Sequence, residues 1–263
     1  MKWTQEAEEA IKRVPFFVRK RVRARVEEEV KKRGRETVSL HDLRQAQRRF
    51  LDRMSEEVQG YRMEGCFGSA GCPNRAMDSG VLTEQVEGLL RAAELGKLLE
   101  KRVRGNLKPH HEFRVCIADC PNACSQPQIK DVGIIGACEP GVTEEACNGC
   151  GACADSCLEG AISVKDPQEG PLIDYHKCLK CGKCVQECPT GIISARKKGY
   201  RVLLGGKLGR HPRLAKEMEG LFTDEEVTEI LRRCLDFYKE KSLHGERFAE
   251  ILPEAESLDI FKP

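Results

Sequence analysis

The six residues "DCPNAC", 119–124, place two cysteines four positions apart with Pro-Asn-Ala between them. Zinc knuckles and ferredoxin loops use CxxC, so this spacing calls for a different partner set. Upstream, the glycine-rich stretch "EGCFGSAGCPNRAMDSG", 64–80, holds Cys66 and Cys72. Pro121 stiffens the turn between Cys120 and Cys124.

Downstream, "CNGCGACADSCLEGAIS", 147–163, and "CLKCGKCVQECPTGIIS", 178–194, repeat at an offset of 31. Each reads Cys-x2-Cys-x2-Cys-x3-Cys. Three thiolates from a tight loop, with the fourth from the other repeat, hold each [4Fe–4S] cube in two-cluster ferredoxins. Cys147, Cys150, Cys153 and Cys188 are expected to hold one cluster; Cys178, Cys181, Cys184 and Cys157 the other. Gly151 and Gly182 let the backbone wrap the cubes. Pro189 follows the last cysteine of the second repeat as the motif expects, whereas Leu158 stands at that place in the first. Two four-cysteine zinc sites would leave the triple spacing unexplained. Of the fifteen cysteines, Cys116, Cys138 and Cys234 remain, and they read as buried free thiols.

The 263 residues are 40% hydrophobic, 33% charged and only 5% aromatic, which suits a globular protein packed by Val, Leu, Ile and bound cofactors. No apolar run approaches the ~18 residues of a membrane span, and the opening "MKWTQEAEEA" is too polar for a signal peptide. A cytoplasmic location is expected, where thiolates at fixed spacing bind metal rather than pair as disulfides. Residues 1–64 carry 17 Lys/Arg against 12 Asp/Glu. These charges alternate with Glu along helical stretches, which favours a solvated helix face over nucleic-acid binding.

The chain is expected to be α+β. Residues 3–58 read as a helical module: Val18, Val22, Val26 and Val30 form one stripe, and Ser39 with Asp42 resembles a capping box. One helical stretch follows over about 82–104. "FRVCIADC" and "DVGIIGA" read as strands, and "GYRVLLGGKLGRHP" as a strand and a glycine turn. The tail from Thr223 is helical, with Val227, Leu231, Cys234 and Tyr238 on one face. The expected domains are 1–58, helical; 59–141, the first part of a cluster domain; 142–195, a ferredoxin pair; and 196–263, its second part with a C-terminal helix.

Two resemblances add to this. "EAEEAIKRVPFFVRKRVRARVE" and "GRETVSLHDL" resemble the C-terminal domain of the light-independent protochlorophyllide reductase B subunit. The Cys-x5-Cys and Cys-x3-Cys motifs, "QPQIKDVGIIGA" and "GYRVLLGGKLGRHPRLA" resemble the nitrite and sulfite reductase family, in particular anaerobic and dissimilatory-type sulfite reductases. The resemblance implies a third [4Fe–4S] cluster on Cys66, Cys72, Cys120 and Cys124, with Cys124 also bridging to the iron of a siroheme. It implies reduction of sulfite or nitrite, with electrons arriving through the ferredoxin pair from a redox donor protein or partner reductase subunit. Cations must then meet the siroheme carboxylates and the anionic substrate. Candidates are Arg62, Arg75, Lys130, Lys207, Arg210 and His211, with Arg19, Arg21 and Arg23 as outsiders; each also reads as an ordinary surface charge. Family members usually carry a further domain before the Cys-x5-Cys motif, and here the helical module takes that place. The alternative is an electron-transfer subunit that keeps the clusters without siroheme.

Overall fold

The computed structural model describes residues 1–166, 168–252 and 258–263. The chain divides into two compact units, residues 1–58 with 104–109, and residues 59–103 with 110–263.

In the first unit, β1 (Lys2–Trp3) and β2 (Thr37–Val38) pair in parallel and frame three helices, α1 (Gln5–Lys12), α2 (Phe16–Lys32) and α3 (Leu40–Glu56). Pro15 immediately precedes α2, where its fixed φ suits a helix start. The valine stripe faces inward: Val26 and Val30 are buried with Ile11, Val38 and Leu43, and Val22 packs at their edge. Ser39 and Asp42 form both bonds of the capping box that opens α3. Burial opposes ionisation of Asp42, but the bonds from Ser39 and the Arg35 guanidinium outweigh it and bring the pKa down to about 2. That stabilisation is present above the ordinary aspartate range and is lost as pH falls toward the folded value. The strand pair leaves no signal in the sequence, because its segments are only two residues long.

The second unit is built on a five-stranded sheet in the order β3-β4-β5-β8-β9. Its elements are β3 (Tyr61–Gly65), α4 (Gly80–Ala92), α5 (Leu95–Arg102), β4 (Phe113–Ala118) and β5 (Val132–Val142). After an insert come β8 (Ile193–Leu204), β9 (Lys216–Glu217), α8 (Asp224–Lys241) and α9 (Phe248–Ile251). β3, β4 and β5 run parallel to one another, β8 runs antiparallel to β5, and β9 antiparallel to β8. Leu82, Val86 and Leu90 of α4 and Val227, Leu231, Cys234 and Tyr238 of α8 close over the apolar sheet residues Val115, Ile117 and Ile134. Each such side chain contributes about 1.5–3 kcal/mol on burial. The few aromatics are concentrated here: Phe113 meets Tyr238 at 5.2 Å and Phe248 at 5.5 Å between centroids.

The expected single helix over 82–104 is two helices. Glu94 takes φ 49°, a left-handed conformation that breaks the hydrogen-bond ladder between α4 and α5. The break lets Leu95 turn into the core beside Leu90.

The strands expected around 131–137 and from 199 are longer than their apolar runs. β5 and β8 pair from Val132↔Leu204 out to Val142↔Ile193, with an irregularity at Glu139/Pro140, where a strand tolerates proline. This two-stranded ribbon carries the insert at its tip. The insert holds α6 (Ala152–Asp155), the antiparallel pair β6 (Ile162–Val164) and β7 (Pro171–Ile173), and α7 (Lys183–Glu187). Cys138 N–H donates to Lys180 O at 2.7 Å, Lys180 pairs with Glu139 at 2.8 Å, and Tyr175 O–H donates to Pro140 O at 3.1 Å. These bonds fasten insert to ribbon. No helix of the described residues is long and apolar enough to cross a membrane.

Candidate functional site

β3 and β4 are adjacent and parallel, so their carboxyl ends open side by side at one edge of the sheet, a usual place for bound groups in open sheets. Cys66 follows β3 directly, and its N–H still donates to Ile117 O of β4 at 3.1 Å. A 3-10 turn over Gly68–Ala70 then brings Cys72 round, its N–H donating to Gly68 O at 3.1 Å. On the β4 side, Cys120 lies two residues past the strand. A tight turn with Ala123 at φ 52°, closed by Ala123 N–H to Cys120 O at 3.1 Å, delivers Cys124. The two segments that 47 intervening residues separate in sequence therefore meet through strand pairing.

Donors already point at these sulfurs. The main-chain N–H groups of Gly68 and Asp119 reach Cys66 Sγ at 3.3 Å each, and Asn122 Nδ2 reaches Cys124 Sγ at 3.0 Å. Burial pushes the Cys120 thiol up, and the neighbouring Cys124, Cys66 and Cys72 push it further. A buried Cys120 thiol set beside three others fits a site whose iron would take up the thiolate charge. Cys124 is exposed, whereas Cys66, Cys72 and Cys120 are half-buried.

The insert repeats this pattern twice. Burial pushes Cys184 up to about 12, with Cys181, Cys178 and Cys157 acting in the same direction. Cys153 is raised by burial, with Cys188 and Cys150 as its thiol neighbours. Cys157 of the first repeat thus stands near Cys178, Cys181 and Cys184, and Cys188 of the second stands near Cys150 and Cys153. Backbone N–H groups of Gly149, Ala161 and Lys180 point at Cys147, Cys157 and Cys178 Sγ at 3.3–3.4 Å. Gly182 takes φ 73°, and a Cβ there would come within 2.7 Å of Cys138 Cβ. Cys138, read from the sequence as a buried thiol, is therefore the packing partner of the second repeat's loop. Nothing in its local sequence signals this, because the contact is made across the ribbon. Among the described residues no three His, Cys, Asp or Glu side chains close tightly enough to hold a single ion. Thiolates at the corners of a cube stand farther apart than ligands of one ion.

A cavity of about 610 Å³ is lined by Cys66, Cys72, Cys120 and Cys124 on one side and by Cys157, Cys178, Cys181 and Cys184 on the other. The remaining set, Cys147, Cys150, Cys153 and Cys188, does not line it.

Among the described residues, Arg75 is the one expected substrate cation at this cavity, and it pairs with Asp78 at 3.2 Å. Lys183, which lies inside the second cysteine repeat and is not among the expected cations, lines the cavity too and pairs with Glu187 at 2.9 Å. The others lie elsewhere. Arg62 points from β3 to the buried Glu112 at 3.3 Å, and Lys130 is buried against Glu64. Lys207 and His211 line a second cavity of about 520 Å³, where Lys207 pairs with Glu250 at 3.2 Å. Arg210 is exposed. Of the outsiders, Arg19 donates to the Lys12 and Val14 carbonyls, Arg23 pairs with Glu8, and Arg21 is exposed. Cys116 is buried and donates to Ser125 O at 3.0 Å, and Cys234 is buried in the core.

The cysteine sets fit iron–sulfur cubes by donor chemistry and by the N–H groups aimed at their sulfurs. For a siroheme, the outward-facing Cys124 fits the bridging position. Arg75 and Lys183 give its many carboxylates little neutralisation from this chain.

Comparison with known proteins agrees with the geometry. Residues 3–47 match the proto-chlorophyllide reductase 57 kD subunit family. A coenzyme F420-dependent sulfite reductase of Methanocaldococcus jannaschii is 41% identical over 167 residues, 63% of this chain and 26% of that protein. The C component of the anaerobic sulfite reductase of Salmonella typhimurium is 29% identical over 186 residues, 70% of this chain and 50% of that protein. The chain thus spans from a quarter to a half of the length of these relatives. The crystal structure of dissimilatory sulfite reductase I superposes with a TM-score of 0.50 at 16% identity, covering 81% of this chain and 55% of that one, which shows a shared fold. With residues 61–256 matching the nitrite and sulphite reductase 4Fe-4S domain, the chain belongs to that family.

Proposed function

We propose that this chain is the cluster-bearing part of a sulfite reductase, with [4Fe–4S] clusters on all three cysteine sets and siroheme at Cys124. The observation that carries this reading is the single cavity lined by both Cys66/Cys72/Cys120/Cys124 and Cys157/Cys178/Cys181/Cys184. When bound, the clusters supply single electrons, and the siroheme iron supplies a site for six-electron reduction of sulfite or nitrite. Sulfite is favoured because the relatives are named for it.

The chain's own residues have separable tasks. Cys157, Cys178, Cys181 and Cys184 hold the inner ferredoxin cube against the cavity, and Cys147, Cys150, Cys153 and Cys188 hold the outer one, toward a redox donor protein. Cys66, Cys72, Cys120 and Cys124 would hold the third cube, and the exposed Cys124 would also hold the siroheme. Arg75 and Lys183 bring positive charge to the cavity, where an anion gains most from it. Arg62, Lys130, Lys207 and Arg210 remain proposals for the same anions. A partner reductase subunit supplies the rest of the cationic wall.

That shortage of cations also favours a second reading, an electron-transfer subunit without siroheme. The absorption spectrum of anaerobically purified protein, followed by acid–acetone extraction, separates the two. The first reading predicts an extractable siroheme near one per chain. A spectrum of iron–sulfur absorption alone, with an empty extract, would establish the second.

A further inference from the structure

Asp119 joins the segments that bring cysteines to the third cluster site. Its main-chain N–H donates to Cys66 Sγ at 3.3 Å. Its carbonyl accepts from Ala76 N–H at 2.8 Å and Met77 N–H at 3.1 Å, which ties down the chain just after Cys72. Cys120 is the next residue.

The side chain is 2% exposed. Oδ1 accepts from the hydroxyl of Ser79, which is itself buried. Oδ2 has no hydrogen-bond partner among the described residues. It lies against Gly68, where an added Cβ would come within 2.5 Å of it. A buried carboxyl oxygen without a donor is costly and calls for an explanation. Here the cost is borne at one wall of the cavity that Cys66, Cys72, Cys120 and Cys124 line.

The potential of an iron–sulfur cluster follows its net charge, the hydrogen bonds to its sulfurs and its exposure. A buried anion beside a cube makes the arrival of an electron less favourable, and the low dielectric of a buried site magnifies the effect. A donor to that anion weakens it.

We propose that Asp119 is a positioning residue that keeps the reduction potential of this cluster low, and that Ser79 sets how much of the Asp119 charge the cluster feels. The inference rests on the reading of a cluster at Cys66, Cys72, Cys120 and Cys124. A lower potential gives that centre a stronger drive to pass electrons on.

The test uses the full chain, reconstituted anaerobically and assayed for iron, in a redox titration followed by electron paramagnetic resonance. Asp119→Asn keeps the side chain's shape and removes its charge. It is expected to move one of the three cluster steps to more positive potential and leave the other two in place. Ser79→Ala removes the donor and is expected to move the same step to more negative potential. Opposite shifts of one step are a signature that loosened packing would not give. If Asp119→Asn does not hold its cluster, the sign of the Ser79→Ala shift decides alone. Three clusters with no step moved, or with both variants moving it in the same direction, would overturn the inference and leave the functional reading intact. A wild type with iron for only two clusters would overturn both.

Discussion

Cys124→Ser is expected to lose siroheme absorption and sulfite reduction together, whereas Cys116→Ser keeps both. The two cysteines lie eight residues apart and face opposite environments. Cys124 is exposed at the cavity, with Asn122 Nδ2 donating to its sulfur at 3.0 Å. Serine there exchanges a soft thiolate for a hard, poorly ionised hydroxyl, so the cube loses a corner ligand and the macrocycle loses its link. Cys116 is 0% exposed in β4, and its thiol donates to Ser125 O at 3.0 Å. Burial raises its pKa as it does that of Cys120 and Cys184, so what sets Cys116 apart is its place inside β4 and outside the cavity lining. A hydroxyl can keep that donation, so the change costs packing only, about 1 kcal/mol. The visible spectrum of each purified variant, beside its sulfite-dependent oxidation of a reduced dye, checks both. A Cys116→Ser protein that emptied the site would show that the ligand register is wrong.

Cys181→Ser is expected to slow turnover with the natural donor by more than about tenfold, equivalent to about 1.4 kcal/mol of barrier, without emptying the third cluster site. Cys181 belongs to the cysteine set that shares the cavity, and its backbone bridges to Cys138 on the ribbon. Serine weakens one corner of that cube, while the Cys66/Cys72/Cys120/Cys124 side is held by β3 and β4 and does not depend on the insert's loop. Unchanged turnover with the natural donor, in a variant shown by spectroscopy to have altered that cube, would remove the inner ferredoxin cluster from the electron path.

The parts legible in the sequence are those set by local covalent geometry. Cysteine spacing in the two repeats reports loop shape directly, and the Ser39/Asp42 capping box and the apolar face of the helix beginning after Thr223 are equally local signals. What escaped depends on distant partners. β3, "YRMEG", alternates Tyr61 and Met63 with Arg62 and Glu64, but over too short a run to be read as a strand, and it becomes one because β4 pairs with it residue for residue from Tyr61↔Phe113 to Gly65↔Ile117. The ribbon outgrows its apolar runs because β5 and β8 satisfy each other's backbone. Glu94 breaks the long helix although it is not glycine, and the segment 104–109 joins the first unit from 46 residues beyond Val58. The cations are the clearest case. Arg62 and Lys130 carry the charge an anion needs, and their pairing with Glu112 and Glu64 depends on residues distant in sequence. Lys183 reaches the cavity from inside a motif that draws attention only to its cysteines.

The central claim is that three cysteine sets hold three cubes, and iron with acid-labile sulfide after anaerobic reconstitution tests it most directly. Twelve cysteines in three four-thiolate sites predict about twelve irons and twelve sulfides per chain from the clusters, with any siroheme iron counted separately by extraction. A ceiling near eight of each would leave only the ferredoxin pair, deprive Cys66, Cys72, Cys120 and Cys124 of their proposed cluster, and contradict the account.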